Sequence, residues 1–160
     1  VGVAAVEAVR AVAAVDAVLK WPNDVQRDGR KLAGILVERV ETPVGPAAVA
    51  GVGMNITSAP EAAASLADTG VTRDEVLDAV LSRLADWYQR WLVEPGGSDL
   101  AAAYRKACVT LGRQVRVDLP GGRAITGRVI GIDEAGRLVL ATSAGERVVG
   151  AGDIVHLRPH

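Results

Sequence analysis

The sequence predicts an α+β fold in which a mixed sheet with packed helices is followed by a small antiparallel β-barrel. Two nearly continuous apolar runs, residues 31–40 and 47–55, have the length of buried strands. Apolar residues recur at helical spacing before and after these runs, and five short strand-like segments follow residue 110. The pattern changes near residues 108–111, so we expect a division into residues 1–109 and 110–160.

The first predicted element is a buried amphipathic helix over residues 3–15. Valine and alanine fill this part of the chain, and Glu7, Arg10 and Asp16 interrupt it. A membrane span needs about 20 residues that are almost free of charge, so these charged side chains argue against one. No basic leader is visible before the apolar run, and these residues therefore do not resemble a secretion signal.

A short strand is predicted over Val18–Trp21. Pro22 ends this strand, because proline cannot donate a ladder hydrogen bond and forces the preceding residue into an extended conformation. Asn23-Asp24 and Asp28-Gly29 are predicted turns, and the second has the composition of a tight hairpin loop. Trp21 could shield a pocket, but a buried anchor is the preferred interpretation.

The two apolar runs are predicted to be strands covered on both faces, because a strand with one solvated face alternates apolar and polar residues. Three glycines interrupt them: Gly34, Gly51 and Gly53. A glycine inside a strand marks a bulge or a close approach of the backbone to a ligand. These strands are therefore candidates for a binding site.

A long helix is predicted from residue 72 to about Leu92. Thr72 and Glu75 have the spacing of a capping box, which satisfies two free amides and contributes about 1 kcal/mol. Seven residues predict a single apolar stripe along this helix: Val76, Leu77, Val80, Leu81, Leu84, Tyr88 and Trp91. Residues 94–98 break the helix, and a shorter helix is expected over Asp99–Cys108, with Cys108 as a small packed residue.

From Thr110 onwards the chain has the pattern of a small barrel. Val115, Val117 and Leu119 alternate with charged residues, as in a half-buried strand. Four further strands are predicted at residues 124–132, 138–142, 147–149 and 154–157, with turns at residues 120–122, 135–136 and 144–145. Five short strands at this spacing are typical of an antiparallel barrel.

The composition excludes several classes of function. The 18 Lys and Arg residues against 19 Asp and Glu give a net charge of −1, so no basic excess indicates a nucleic-acid or membrane partner. Aromatic residues make up only 3%, which argues against a stacking platform for single strands. One cysteine excludes an internal disulfide and fits a reducing cytoplasm. With one Cys and 2 His near the end, no zinc site or His-based triad is expected.

Three segments contain the candidate chemistry: L-K-W-P-N-D at residues 19–24, K-L-A-G-I-L-V-E at residues 31–38 and G-V-G-M-N-I at residues 51–56. They place two ammonium groups and Asn and Asp side chains at the ends of adjoining strands, beside glycines whose backbone no side chain covers. Such an arrangement can receive an anionic, partly apolar small molecule. Each segment alone is a weak signal, since W-P-N-D also fits a capped turn and G-x-G a bulge.

Together and in this order, the segments resemble the biotin protein ligase family, specifically the biotin–[acetyl-CoA carboxylase] ligases. K-W-P-N-D and K-L-A-G-I-L-V-E match the family letter for letter, and the part from Thr110 looks like its SH3-like C-terminal domain. The resemblance implies a class II synthetase-like biotin/lipoate ligase core whose upstream part is missing here. Missing are the glycine/arginine-rich loop and the groups that bind the ureido ring. Met54 is the sole methionine, so the chain is expected to be a fragment.

The resemblance implies an enzyme that works in two steps. The biotin carboxylate attacks the α-phosphate of ATP to give biotinyl-5′-adenylate, and a lysine of a biotin carboxyl carrier domain of an acyl-CoA carboxylase then attacks the adenylate. Biotin, ATP and Mg²⁺ would be required, the protein would be cytoplasmic, and a homodimer is left open. Two alternatives remain, a lipoate ligase-like adenylating enzyme and a non-catalytic binding module. The K-W-P-N-D segment and the SH3-like part from Thr110, called the tail below, argue against the lipoate ligase.

Lys31 is the implied catalytic residue, because the first step joins two anions and electrostatic stabilisation must dominate. Its ammonium would bridge the biotin carboxylate and the α-phosphate, a task that suits a compact point charge. Gly34 and Leu36 would contact the biotin rings, although plain strand packing is also an explanation for Leu36.

Four further residues would serve the nucleotide. Lys20, Asn23 and Asp24 would bind phosphates and Mg²⁺ or shape the pocket, and Asp24 is the motif carboxylate best placed to meet the metal. Structural capping by Asp24 is an equally good interpretation. Asn55 would hydrogen-bond adenine or cap the end of a strand.

Overall fold

The computed structural model describes residues 1–94, 97–119 and 121–157, which form two antiparallel sheets and three helices. The helices are α1 (Gly2–Ala13), α2 (Arg73–Val93) and α3 (Ser98–Ala107). The first sheet contains, in spatial order, β1 (Ala17–Lys20), β2 (Asp24–Arg27), β3 (Arg30–Thr42) and β4 (Gly45–Met54). The second sheet contains β5 (Gln114–Asp118), β6 (Ala124–Ile132), β7 (Leu138–Thr142), β8 (Gly145–Val149) and β9 (Asp153–His156). The predicted α+β fold class is confirmed.

Helix α1 is buried over much of its circumference. Six of its residues are buried, four of them consecutive: Val3, Ala4, Ala5, Val6, Ala8 and Val9. Val3, Val6 and Val9 belong to the first core together with residues of the first sheet, among them Leu19, Val25 and Leu32. The predicted helix extends to residue 15, but α1 ends earlier because Ala14 adopts a left-handed conformation with φ of 51°. Among the described residues, no helix combines the length and apolarity needed to cross a membrane.

The expectation that β3 and β4 are covered on both faces is wrong for this structure. β3 is buried at Leu32 and Ala33, but its outer half is exposed, and β4 is exposed along most of its length. Helix α1 packs on β1 and β2 and α3 packs on β1, so the far ends of β3 and β4 extend beyond the helices. β4 is also the last strand of the sheet.

Helix α2 begins at the predicted capping box. The Thr72 hydroxyl accepts a hydrogen bond from the Glu75 amide at 3.3 Å, and Glu75 accepts one from the Thr72 amide at 2.8 Å. The Thr72 amide and the Thr72 hydroxyl both donate to the Glu75 carboxylate, and these two bonds hold the pKa of Glu75 below its ordinary value. The predicted single apolar stripe is wrong in its extent: within the described part of the chain, its members Val76 and Val80 reach the first core, together with Trp87, which the stripe did not include.

The other apolar residues of α2 lie on a separate, exposed line: Leu77, Leu81, Tyr88, Trp91 and Leu92. Spacing alone placed four of them, Leu77, Leu81, Tyr88 and Trp91, on one stripe with Val76, but α1 covers only part of that arc. The predicted break after α2 includes Pro95 and Gly96, which lie outside the described residues. Helix α3 confirms the shorter helix to within one residue at each end.

The second sheet has the strand order β8-β7-β6-β5-β9 and its own apolar core. Five residues from three strands are almost fully buried there: Val115, Val117, Val129, Leu138 and Leu140. All four strands predicted after β5 are present, with ends that differ by up to two residues. The turn at residues 135–136 is confirmed, the turn predicted at 144–145 lies one residue earlier because Gly145 already begins β8, and Pro120 of the third predicted turn lies outside the described residues.

Trp21 joins the two sheets. It follows β1 of the first sheet, but its side chain is only 3% exposed and belongs to the core of the second sheet. Its indole N–H donates to the Gly136 carbonyl at 2.8 Å, and its backbone N–H donates to the Thr110 hydroxyl at 3.2 Å. Cys108 is buried in the same core. The preferred interpretation of Trp21 as a buried anchor is confirmed.

Candidate functional site

The predicted site residues lie on the face of the first sheet that the helices leave open. Lys20 pairs with Asp24 across β1 and β2, Asp24 pairs with Gly34 of β3, and Gly34 pairs with Gly53 of β4. Directly opposed residues share a face of a sheet, so these four form one row across all four strands. The two glycines contribute no side chain, so the row is charged at one end and bare backbone at the other.

A β-bulge brings Lys31 to the same face. Val25 of β2 pairs with Ala33, but the next residue, Gln26, pairs with Lys31, so Leu32 has no partner in the ladder. Leu32 and Ala33 are both buried against the helices. Lys31 and Gly34 are three residues apart, and strict alternation would place them on opposite faces. The extra residue corrects this, which is how bulges re-aim side chains.

The sequence had associated a bulge with the glycines, but the register shift lies at Leu32. The pairing of β3 with β4 is regular at both Gly51 and Gly53. Nothing in the chain's apolar pattern marks this shift, because Leu32 and Ala33 continue the hydrophobic run. Lys31 and Gly34 are an odd number of residues apart, whereas two residues on one face of a regular strand are an even number apart. This spacing is the signal from which the register shift could have been predicted.

Lys31 and Asp24 form an ion pair over Gly34. Lys31 Nζ lies 2.6 Å from Asp24 Oδ1, with side chains that are 53% and 20% exposed. Asp24 Oδ1 itself is buried, and no hydrogen bond of regular geometry reaches it within the described part of the chain. The Lys31 ammonium is thus the charged partner of this buried oxygen. A Cβ atom built on Gly34 would lie 3.2 Å from both Nζ and Cε of Lys31, so the glycine leaves the space that the lysine occupies.

Asn23 and Asn55 both donate side-chain hydrogen bonds to backbone carbonyls beside this face. The Asn23 amide group donates to the Ile35 carbonyl at 2.9 Å, and the Ile35 amide donates back to the Asn23 carbonyl at 2.9 Å. The predicted Asn23-Asp24 turn is corrected by one residue, since the turn ends at Asn23 and Asp24 already begins β2. The Asn55 amide group donates to the Ala64 carbonyl at 3.0 Å, which supports a structural role for it.

Leu36 stands on the open face, two residues beyond Gly34 and opposite Gly51. Its side chain is 61% exposed, so strand packing does not explain this leucine among the described residues. A recess of about 400 Å³ adjoins it, lined in part by Pro22, Asn23 and Tyr104. A second groove of about 430 Å³ adjoins Asn55. The structure thus combines two cations, bare backbone and an apolar side chain on one face, which suits an anionic ligand with an apolar body.

The residues around Asp24 do not fit a magnesium ion held by the protein. Mg²⁺ needs six oxygen ligands in near-octahedral geometry, and the buried oxygen of Asp24 already faces an ammonium at 2.6 Å. Among the described residues, no group of three or more His, Cys, Asp or Glu side chains could hold a metal. A metal carried by ATP phosphates would have to displace Lys31 to reach that oxygen.

The second sheet reaches the charged end of the row through His156 on β9. The His156 ring lies 3.2 Å from the Thr110 hydroxyl. Burial, together with the positive charges of Lys20 and Arg113, holds the pKa of His156 below its ordinary value. The sequence did not indicate this contact, because Thr110 and His156 lie 46 residues apart and belong to no motif.

Arg27 binds the loop around residues 64–68, which lies beside Lys31, and no motif in the sequence indicated this contact. Arg27 at the end of β2 donates to both carboxylate oxygens of Asp68, at 2.5 and 2.6 Å, and to the Ser65 carbonyl at 2.8 Å. The hydrogen bonds from Arg27 hold the pKa of Asp68 below its ordinary value. The Lys31 carbonyl accepts from the Ala64 amide at 2.9 Å, so the loop runs directly along the start of β3.

Two family descriptions match the chain. Residues 1–55 match the Biotin/lipoate A/B protein ligase family, and residues 110–157 match the Biotin protein ligase C terminal domain. The chain is 44% identical over 147 residues to a biotin–[acetyl-CoA-carboxylase] ligase of Mycobacterium tuberculosis, covering 88% of this chain and 53% of the relative. It is 34% identical over 149 residues to the ligase of that name from Paracoccus denitrificans, covering 85% and 61%. The chain thus spans a little over half the length of these relatives.

The fold is similar to that of a biotin protein ligase from Aquifex aeolicus. Its apo structure superposes with a TM-score of 0.84 at 25% identity, covering 98% of this chain and 72% of that chain. Its structure in complex with biotin and ATP gives a TM-score of 0.80 at 26% identity, covering 99% and 69%. The similarity therefore extends over both sheets.

Proposed function

The chain belongs to the biotin protein ligase family, and from this premise we propose that its protein ligates biotin to a carrier protein in an ATP-dependent reaction. Biotin and ATP would form biotinyl-5′-adenylate, which a lysine of the biotin carboxyl carrier domain of an acyl-CoA carboxylase would then attack. The observation that supports this most directly is the Lys31 ammonium, held on an open sheet face above the bare backbone of Gly34. The relatives named as ligases support it further.

The charges on this face suit the first step. The biotin carboxylate and the α-phosphate repel each other, and a fixed cation between them lowers the energy of the charge that develops as they join. Lys31 would take this role, and Lys20 would add a second cation at the β1 end of the row. Gly34 and Gly53 would let a ligand approach the backbone, and Leu36 offers an apolar surface for the biotin rings. The use of Lys20, Asn23, Asp24 and Asn55 for the nucleotide stays a prediction.

The partners and the division of the chain are also proposals. We propose a carrier domain as the protein partner and a cytoplasmic location, for which the single cysteine is the support. The homodimer is an expectation from the resemblance alone. A division between residues 1–109 and 110–160 is supported by two separate apolar cores, although Trp21 and Cys108 belong to the second of them.

The proposed function is tested by ATP-dependent transfer of biotin to a purified carrier domain by the whole protein that contains this chain. We expect the carrier mass to increase by one biotinyl group and the reaction to release pyrophosphate. Lipoate offered in place of biotin distinguishes the related adenylating activity. Transfer of lipoate but not biotin, or of neither, would contradict the proposal.

A further inference from the structure

We propose that Asp24 and Gly34 are positioning residues for Lys31, and that Asp24 acts by pairing with this lysine rather than by binding Mg²⁺. The inference rests on the proposed ligase function and deepens it. The assignment follows from one juxtaposition: a buried carboxylate oxygen, an ammonium at 2.6 Å from it, and a glycine beneath both.

The ion pair fixes where the catalytic charge lies. A lysine side chain has four rotatable bonds and samples many positions when it is exposed. Here the Asp24 carboxylate, anchored at the first residue of β2, holds the ammonium above the row of the sheet. Without it, Lys31 would lose its fixed partner while more than half of its side chain remains in water.

The pair also leaves the ammonium able to bind substrate. A lysine ammonium has three N–H donors, so a contact with the single oxygen Asp24 Oδ1 leaves donors free. The carboxylate thus fixes the charge, and the remaining donors are available for the biotin carboxylate and a phosphate oxygen. A metal ion on the same oxygen of Asp24 would repel the ammonium that the carboxylate now attracts.

Gly34 provides the space for this arrangement. An alanine Cβ would approach Nζ and Cε of Lys31 to 3.2 Å and Asp24 Oδ1 to 3.9 Å. The lysine would have to shift by a few tenths of an ångström or leave the carboxylate. Gly34→Ala therefore perturbs the same ammonium without removing any charge, and it provides a second, independent variant.

The first experiment measures the ion pair itself in the 160-residue chain. The chain has three lysines, so mass spectrometry after brief acetylation reports each amine separately, with Lys106 as internal reference. Because pairing lowers the nucleophilicity of an amine, we expect Asp24→Asn to raise the acetylation rate of Lys31 severalfold relative to Lys106. Asp28→Asn is the matched control, since Asp28 lies in the same hairpin and pairs with Arg27 at 3.5 Å rather than with Lys31. An unchanged Lys31 rate in Asp24→Asn would overturn the proposal.

The second experiment uses the whole ligase and measures adenylate formation. We expect Asp24→Asn to lower kcat about 100-fold, the loss typical of a catalytic group misplaced by 1 Å, at an unchanged Mg²⁺ requirement. Asp24→Glu should restore part of the rate. In a Lys31→Met background Asp24→Asn should have no further effect, because residues that act as a unit are not additive.

Two results would overturn the positioning role in an active ligase. One is a Mg²⁺ requirement that rises in Asp24→Asn, which would make Asp24 a metal ligand. The other is a full additional loss from Asp24→Asn in the Lys31→Met background, which would make the two residues independent. A ligase whose wild type forms no biotinyl adenylate would reject the proposed function and the inference together.

Discussion

Lys31 illustrates, at the scale of single residues, how neighbours decide what a charge can do. The bulge at Leu32 places it on the open face, Gly34 leaves room for it, and Asp24 pairs with it. None of this requires Lys31 for folding. More than half of the Lys31 side chain is exposed, so its replacement uncovers little apolar surface, but it leaves the buried Asp24 oxygen without its cation at a cost of about 1–3 kcal/mol.

Under the proposed function, Lys31→Ala in the whole protein should therefore lower the rate of adenylate formation by about 1,000-fold and the free energy of unfolding by no more than about 3 kcal/mol. The charge that offsets the repulsion between two anions is lost, whereas little buried surface changes. Biotin-dependent pyrophosphate release measures the first effect, and urea denaturation measures the second. Lys106→Ala, a lysine in the last turn of α3, is the control. A Lys31→Ala enzyme with a near wild-type rate would remove Lys31 from the mechanism.

His156 makes stability depend on pH near neutrality. Its pKa in the folded chain lies below the ordinary 6.5, so the unfolded chain binds a proton more readily. Stability should be full above pH 6.5 and fall as the pH drops toward the lowered pKa, by at most about 1.4 kcal/mol per pH unit. Urea denaturation between pH 7.5 and about pH 5 measures this slope. His156→Gln should flatten it, and an equal slope in that variant would assign the effect to another group.

Secondary-structure elements were largely predictable because periodicity and caps are local properties. The capping box of Thr72 and Glu75 and the strands of the second sheet required only short stretches of sequence. The burial of β3, β4 and the second line of α2 was not predictable, since apolar spacing does not say which neighbour covers a residue. The same limit applies to the site. The motifs indicated which residues meet, but the register shift and the His156 contact depend on pairing between distant segments.

Strand β6 contains a glycine whose replacement should be costly. A Cβ on Gly127 would lie 2.7 Å from the Ala141 carbonyl oxygen, which belongs to the backbone of β7 and cannot rotate away. We expect Gly127→Ala to destabilise the fold by about 1–3 kcal/mol, the usual cost of overpacking. The matched control on the same strand is Gly131→Ala, whose nearest neighbour would be at an ordinary 4.0 Å. Equal midpoints of urea denaturation for the two variants would refute this account.

Across the whole molecule, the two sheets share a residue. Trp21 follows a strand of the first sheet and is buried in the core of the second. A tryptophan that buries about 150–250 Å² contributes about 4–6 kcal/mol at 25 cal/mol per Å². The tail from Thr110 is therefore part of what keeps the K-W-P-N-D segment in place.

Deleting residues 110–160 from the whole ligase should impair biotin transfer and also weaken the remaining core. Trp21 would lose its cover, its indole acceptor on Gly136 and the hydroxyl of Thr110. Tryptophan emission should shift toward that of a solvated indole, and transfer to the carrier domain should slow. If the truncated enzyme keeps its kinetics and its emission spectrum, the tail is only an appendage.

The 160-residue chain by itself should bind biotin poorly. Its open face presents cations for the carboxylate, whereas the resemblance assigns the ureido contacts to groups not found in these residues. Each ureido group buried without a hydrogen-bond partner costs about 1–3 kcal/mol. Calorimetric titration of biotin into the monodisperse chain measures this, with the whole ligase as the positive control. Tight stoichiometric binding by the chain would show that the biotin pocket is complete within it.

The bulge at Leu32 has a consequence for anyone who moves this motif into another protein. Within K-L-A-G, the unpaired Leu32 shifts the alternation of side chains by one position. The segment therefore gives the arrangement of Lys31 and Gly34 only in a host hairpin that tolerates an unpaired residue there. In a perfectly alternating host, the transplanted ammonium would emerge on the buried side, where desolvation would neutralise or expel it. A host with regular alternation would instead need one residue fewer between the lysine and the glycine, because an even spacing places both on one face without a bulge.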